Sequence, residues 1–311
     1  MKAFIFHKKA KAEKMKLQEV AKPIPKNHEI LVKVKAVSVN AADYRSMQLG
    51  IVPVKGIFGA DVAGTIEAVG SAVTRFSVDD DVVADLSGQG FGGFAEYVVA
   101  DEHAWVLKPK SVSFETAASI PMAAVTAYQA LQKGNLREGH KVLICGAGGG
   151  VGNFAVMLSK LSKAEVTAVC GLRNTDIMRQ LKADHIIPYQ TTDFSKETGR
   201  YDLILAVNGN YSLTDYKKVL KPDGVLVIVG GSLSQLFKSI VFGKLLFLGS
   251  KQLHVLSAKP STADLQRIID LVESKEIIPH VDRVFMFHQT IEAVDYVKEG
   301  HSRGKTVIVV E

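Results

Sequence analysis

Residues 144–153 read ICGAGGGVGN, with five glycines between Gly146 and Gly152. Glycine loses the most backbone entropy on folding, so such a cluster marks a chain that must bend tightly or approach something closely. The preceding KVLIC is an apolar run of strand length. After the glycines, Val151, Phe154, Ala155, Leu158 and Leu161 fall on one face of a helix expected over 150–163. A glycine turn between a buried strand and a helix is what a dinucleotide site needs. The turn is tight, the backbone comes close to a pyrophosphate, and the free N–H groups of the helix start face the anion. The strict G-x-G-x-x-G spacing is not met, because Val151 stands where its last glycine would be. The spacing that is met is G-x-x-G-x-x-G, at Gly146, Gly149 and Gly152. Gly146, Gly149, Gly150, Val151 and Gly152 are therefore expected to bind a dinucleotide.

The next strand, EVTAVC, ends at GLRN. About 20 residues past the glycines, an NAD-binding fold carries an acid that holds the ribose 2′-hydroxyl. Here the region holds Gly171, Leu172, Arg173 and Asn174, with no acid before Asp176. An acid would repel a 2′-phosphate, whereas Arg173 pairs with one. The expected cofactor is NADPH.

Outward from the turn, strands and helices alternate from Lys141: HIIPY, YDLILAV and GVLVIVG read as strands, TDIMRQLK and LTDYKKVL as helices. That alternation implies a doubly wound parallel sheet. The first third differs. KAFIF, EILVKVKAVSVN, AGTIEAVG, DDVVADL and GFAEYVVA are short β segments bounded by Gly and Asp, which suits an antiparallel β-rich domain. The texture changes near SFETAASIPMAAVTAYQAL, where Ser113 starts one helix and Pro121 opens another. The tail carries a capped helix in STADLQRIIDLVESKEI, another in TIEAVDYVKEG, and a closing strand, KTVIVV, a candidate to return to the β-rich domain. The fold expected is α/β plus β-rich, with domains at 1–115, completed by 258–311, and 116–257.

Composition bounds the function. The 311 residues are 47% hydrophobic and 23% charged, as in ordinary globular proteins. No apolar run reaches membrane-span length, and the N-terminal residues contain no apolar core of signal-peptide length. The two cysteines, Cys145 and Cys170, sit in apolar runs and read as small buried hydrophobes. A disulfide framework is excluded, and a cytoplasmic location is the expectation. The net charge of +6 is spread apart from the lysines at 8, 9, 11, 14 and 16. With no nucleic-acid motif beside it, it reads as a generally basic surface. Neither a nucleic-acid nor a membrane partner is expected. LFKSIVFGKLLFLGSK, strongly apolar with interspersed lysines, reads as a core or dimer-forming segment.

The chain resembles the medium-chain dehydrogenase/reductase superfamily, in its zinc-free quinone oxidoreductase branch. The resemblance runs through VNAADYR (39–45), GADVAGTIEAVG (59–70), GFAEYV (93–98), AASIPMAAVTAYQAL (117–131), GAGGGVG (146–152), KADHIIPY (182–189) and GHSRGKTVIVV (300–310). It implies a GroES-like catalytic domain and a Rossmann cofactor domain, with the cofactor between them. It also implies a homodimer.

The zinc alcohol dehydrogenases of this superfamily carry a cysteine where this chain has Asn40 and the histidine of a GHE motif where it has Ala60. Asp61 matches the glutamate of that motif, and another cysteine falls near Met122. Zinc needs three protein ligands and an open position. None of the Cys or His ligands is present, so no metal is expected. What remains is hydride transfer from NADPH to an acceptor that is already electrophilic, a quinone or an α,β-unsaturated carbonyl.

By the same resemblance, Asn40 and Tyr44 lie beside nicotinamide and substrate, Thr126 near the carboxamide and Tyr189 near the adenosine phosphate. Asn40 would hydrogen-bond a carbonyl, and Tyr44 would do so or supply a proton; Asp43 reads as structural. Asn208, Gly230 and Gly231 follow strands at their carboxyl ends, and Arg303 and Lys305 either approach the cofactor from the tail or are ordinary surface charges. An enoyl-thioester reductase and a non-catalytic NADPH- or RNA-binding relative stay open as alternatives. Two departures stand out. Asp79 replaces a usual glycine, a substitution best tolerated if the position needs a positive φ. Ala206 replaces an acidic residue at the end of YDLIL, which puts the family's substrate range in doubt.

Overall fold

The computed structural model describes residues 1–8, 15–208, 211–230, 246–247, 249–300 and 302–311. The chain divides into two compact units, Met1–Val125 with Lys259–Glu311, and Thr126–Ala258.

The first unit begins with β1 (Lys2–Phe6) and β2 (Met15–Glu19), an antiparallel pair. The long strand β3 (Glu29–Val39) runs into helix α1 (Ala41–Leu49), which ends at Gly50 with φ 67°. Strands β4 (Asp61–Val69), β5 (Asp81–Asp85), β6 (Tyr97–Asp101) and β7 (Trp105–Leu107) follow. The turn into β5 requires φ 71° at Asp79, so an aspartate occupies a left-handed position where glycine is the default. Ser113 caps α2 (Phe114–Ala118) by accepting from the Thr116 N–H, and Pro121 takes the first position of α3 (Pro121–Lys133).

The second unit is a six-stranded sheet, all parallel. Its strands are β8 (Lys141–Cys145), β9 (Glu165–Cys170), β10 (His185–Pro188), β11 (Tyr201–Ala206), β12 (Leu220–Ile228) and β13 (Gln252–Val255). Between them run α4 (Gly150–Leu161), α5 (Thr175–Gln180) and α6 (Leu213–Val219). The spatial order β10-β9-β8-β11-β12-β13 is the doubly wound Rossmann order, which reverses direction between the first and fourth strands of the sheet. Leu143, Ile204, Leu226, Tyr216 and Phe194 build a core under the sheet. Cys145 and Cys170 are buried and free of disulfide. Burial pushes their thiols up to about 12 and about 11, which keeps them un-ionised and inert.

The chain then completes the first unit with the helix Thr262–Glu273, β14 (Val281–Met286), the helix Thr290–Lys298 and β15 (Lys305–Val309). The closing strand does return to the β-rich unit: β15 lies antiparallel to β3, pairing Thr306 with Val39 and Ile308 with Val37. The sheet order is β14-β15-β3-β4-β5-β7, with β6 also on β3. Phe4, Phe58, Phe94, Trp105, Val294 and Ile308 join in one core. Among the described residues no helix is long and apolar enough to cross a membrane. Most of the segment LFKSIVFGKLLFLGSK lies outside the described residues.

Candidate functional site

In the second unit the glycine turn leaves β8 at the point where the strand order reverses. Gly146 has φ 88°, a conformation that favours glycine. A β-carbon there would come within 2.8 Å of the Asn208 backbone nitrogen. Asn208 follows β11, and its N–H and that of Val207 both donate to the Cys145 carbonyl. Two of the residues expected at the site, Gly146 and Asn208, are thus brought against each other at the carboxyl ends of adjacent strands. Ligands of open parallel sheets bind at such a crevice. Gly149 precedes the first turn of α4 with extended backbone, and a β-carbon on it would find only the Gly146 oxygen, 3.9 Å away. Gly152 packs against the turn itself: a β-carbon there would overlap the Gly146 carbonyl oxygen and lie 2.6 Å from the Ala147 α-carbon. The first N–H groups of a helix have no partner within it, so those of Gly150, Val151 and Gly152 are suited to a phosphate, beside the space left at Gly149, whose own N–H donates to the Gly146 carbonyl at 3.4 Å.

Sequence reasoning missed two residues here. The Asn153 carboxamide nitrogen donates to the carbonyls of Ala147 (2.9 Å) and Gly149 (3.0 Å), locking the turn. The Asn174 carboxamide lies where a β-carbon on Gly148 would overlap it. The side-chain oxygens of both asparagines are buried without a hydrogen-bond partner among the described residues. Buried polar atoms of this kind are uncommon. The signal in the sequence was a polar residue, Asn153, inside the otherwise apolar stretch VGNFAVML.

Two residues expected near the adenosine end also come together. Gly171 follows β9, and a β-carbon on it would lie 3.2 Å from the Tyr189 hydroxyl, so the glycine lets the tyrosine close over it. Arg173 is exposed in the short turn Leu172–Asn174. The Gln190 side chain accepts from the Leu172 N–H. Gly230 follows β12, its N–H directed to the Ala206 carbonyl at the end of β11. Gly231 lies outside the described residues. Thr126 is half-buried in α3.

In the first unit Asn40 closes β3 and starts α1. Its backbone N–H donates to Asp43 at 2.8 Å, and the other Asp43 oxygen accepts from the Gly59 N–H at 3.0 Å. Asp43 is fully buried, and that burial pushes its carboxyl up to about 7 against the two N–H bonds. The Asn40 carboxamide is engaged at both ends: its nitrogen donates to Asp61 at 2.8 Å, and its oxygen accepts from the Lys305 ammonium at 2.6 Å. Tyr44, one helical turn on, is half-buried against the core of this unit. The Arg303 N–H donates to Asp282 at 3.0 Å.

The alcohol dehydrogenase GroES-like domain model matches residues 26–110, and the zinc-binding dehydrogenase model matches residues 181–308. A quinone oxidoreductase homologue of spinach chloroplasts is 34% identical, over 94% of this chain and 93% of its own. The chain belongs to the medium-chain dehydrogenase/reductase superfamily, in the quinone oxidoreductase branch. It is an oxidoreductase of that superfamily, a GroES-like unit joined to a Rossmann unit. An NADPH-dependent alkenal/one oxidoreductase of Arabidopsis thaliana chloroplasts is 28% identical, over 99% of this chain and 79% of its own. The solved quinone oxidoreductase of Coxiella burnetii superposes with a TM-score of 0.90 at 26% identity, over 100% of this chain and 99% of that one.

The zinc that the superfamily model's description implies does not fit this chain's residues. Among the described residues no group of three His, Cys, Asp or Glu side chains is placed to hold a metal. Ala60 is fully buried and offers no ligand atom on its side chain. A nicotinamide dinucleotide does fit: the turn at Gly146–Gly152 leaves space at Gly149, at the N-terminus of α4, where an anion is favoured.

Proposed function

We propose that this oxidoreductase uses NADPH to reduce quinones or α,β-unsaturated carbonyls without a metal. The observation that carries the reading is the glycine turn at the sheet's switch point, followed on the next strand by Arg173 in place of an acid. When bound, NADPH supplies a hydride from C4 of its nicotinamide.

The chain's own residues divide the remaining work. The N–H groups of Gly150, Val151 and Gly152 hold the pyrophosphate, and Gly146 and Gly149 leave it room. Gly171, Arg173 and Tyr189 hold the adenosine end, with Arg173 pairing with the 2′-phosphate. Thr126, Asn208, Gly230, Gly231 and Arg303 complete the cofactor contacts. We assign the Tyr44 hydroxyl to the substrate oxygen, as donor of a hydrogen bond or of the proton. Asn40, its carboxamide engaged inside the protein, holds the turn that precedes Tyr44.

For an enone, hydride adds to the β-carbon and a proton to the α-carbon. For a quinone, hydride and proton together give the hydroquinone. The names of the relatives support both acceptor classes.

The test is NADPH oxidation with an ortho-quinone and a simple enone in parallel, in EDTA, with NADH as control. NADPH-dependent turnover in EDTA is expected with at least one acceptor. Turnover with neither, or its loss in EDTA, overturns the reading. A homodimer and a cytoplasmic location belong to the same proposal. The first is supported by the resemblance to the superfamily and the second by two buried, reduced cysteines. Light scattering of the purified chain and cell fractionation test them; the chloroplast relatives make the plastid the compartment to compare.

A further inference from the structure

The positions that matter for a metal in the superfamily's zinc enzymes do meet in this structure, and they meet around a lysine. Asp61 is fully buried. One of its oxygens accepts from the Met122 N–H at 2.9 Å. The other accepts from Asn40 Nδ2 at 2.8 Å and Ser38 Oγ at 3.0 Å. Lys305 is only 4% exposed, and its ammonium lies 3.3 Å from that second oxygen and 2.6 Å from Asn40 Oδ1. Asn40, Asp61 and Met122 thus stand in direct contact, and a cation is already among them.

The charge around this point explains why one is needed. Asp43 from α1 is fully buried. Asp85 from β5 sits opposite Asp61 in the strand pairing. The α2 helix carries one titratable side chain, Glu115, half-buried in its first turn, and α3 contributes the Met122 N–H. Among the described residues, Lys305 is the positive side chain that acts on Asp61, Asp43 and Asp85 alike. An isolated carboxylate cannot be buried without a partner, and removing one partner of a buried pair leaves the other charge uncompensated.

We propose that Lys305 is the resident cation of this site, supplying from the protein itself the positive charge that its buried carboxylates need. It arrives on β15, the strand that closes the unit, and so ties the last residues of the chain to the turn between β3 and α1. Lys305 is a positioning residue. It holds Asp61 and fixes the Asn40 carboxamide with its oxygen toward the ammonium and its nitrogen toward the carboxylate. The inference rests on this cluster and stands whichever acceptor the enzyme reduces.

The test is thermal unfolding of wild type, Lys305→Met, Asp61→Asn and the double variant between pH 5 and 8.5, with and without added zinc. Lys305→Met should lower Tm on the order of 10 °C near neutral pH. The loss should be widest at high pH and shrink as the neighbouring carboxylates take up protons. The double variant should regain part of it, because Asp61, the carboxylate in direct contact with Lys305, is then neutral too, while Asp43 and Asp85 remain. If Lys305→Met is insoluble, a soluble double variant carries the same result. Zinc should leave the wild-type Tm unchanged. A pH-independent loss with additive variants would make Lys305 a packing residue only. A double variant as insoluble as the single, or tight zinc binding that raises the wild-type Tm, would overturn the proposal.

Discussion

The Gly152 α-carbon is packed so closely on Gly146 that a β-carbon would overlap the Gly146 carbonyl oxygen. Gly149, three residues earlier, has open space where its β-carbon would go, with the nearest atom 3.9 Å away. The two glycines therefore differ: one packs the helix on the turn, and the other leaves the space that the proposed cofactor would use. Gly152→Ala should shift the turn, lower Tm by several degrees and abolish saturable NADPH binding. Gly149→Ala should leave Tm within about 1 °C, because its φ of −89° suits alanine, yet weaken NADPH at least about tenfold. Differential scanning fluorimetry beside fluorescence titration with NADPH separates the two. Equal affinity for Gly149→Ala and wild type would place the pyrophosphate elsewhere.

Arg173 follows β9 with no acid before Asp176. A charge-assisted contact to the 2′-phosphate contributes about 1.5–3 kcal/mol, or about 10- to 100-fold in affinity. Arg173→Ala should raise KM for NADPH by that factor and leave KM for NADH nearly unchanged. Arg173→Asp should go further and reverse the preference. Steady-state kinetics with both cofactors checks this, and a parallel loss for NADPH and NADH would remove Arg173 from the 2′-phosphate.

Tyr44 is half-buried against the core of the first unit, so Tyr44→Phe keeps the ring and removes only the hydroxyl. General-acid help is commonly worth about 10²–10⁴-fold. The variant should lose kcat by at least about 10²-fold while its NADPH affinity stays at the wild-type value. Single-turnover absorbance measurements give both quantities. An unchanged kcat would assign the proton to solvent.

Much of this was legible in the sequence because the signals are local. The apolar runs and the glycine turn set the parallel sheet, and the Ser113 and Ser261 caps set two helix starts. Asp79, where the sequence left a positive φ open, has φ 71°. What escaped has non-local causes. AADYRSMQL has no apolar period, and α1 forms because Asp43 reaches back to the Asn40 N–H and Gly50 ends the helix in a left-handed turn. The spacing of Asn40 and Asp43 was the available signal. β2 is a polar run that becomes a strand only by pairing with β1, and β13 and β14 are short edge strands of the same kind. The contact between Lys305 and Asn40 spans 265 residues of chain, and no window of sequence contains it.

The buried carboxylates give the first unit a pH dependence whose sign can be worked out. Burial pushes Asp43 from its ordinary 3.8 up to about 7. Burial, with the Asp61 carboxylate adding to it, pushes Asp85 up to about 6. A group whose folded pKa is raised binds its proton more tightly in the folded state. Its contribution to stability is full below about pH 4 and is lost as pH rises through the folded value. Tm should therefore fall between about pH 5 and pH 7.5 under constant ionic strength. Asp43→Asn cannot titrate. It should be less stable overall, because its amide NH₂ would face one of the two N–H donors that Asp43 now satisfies, but its Tm should vary less with pH across that window. Asp85→Asn should flatten the lower part of the window. Calorimetric scans at half-unit steps in pH check both variants. A wild-type Tm that rises from pH 5 to 7.5, or a slope untouched by Asp43→Asn, would show that Asp43 is ionised throughout and that Lys305 balances more of this cluster's charge than burial opposes.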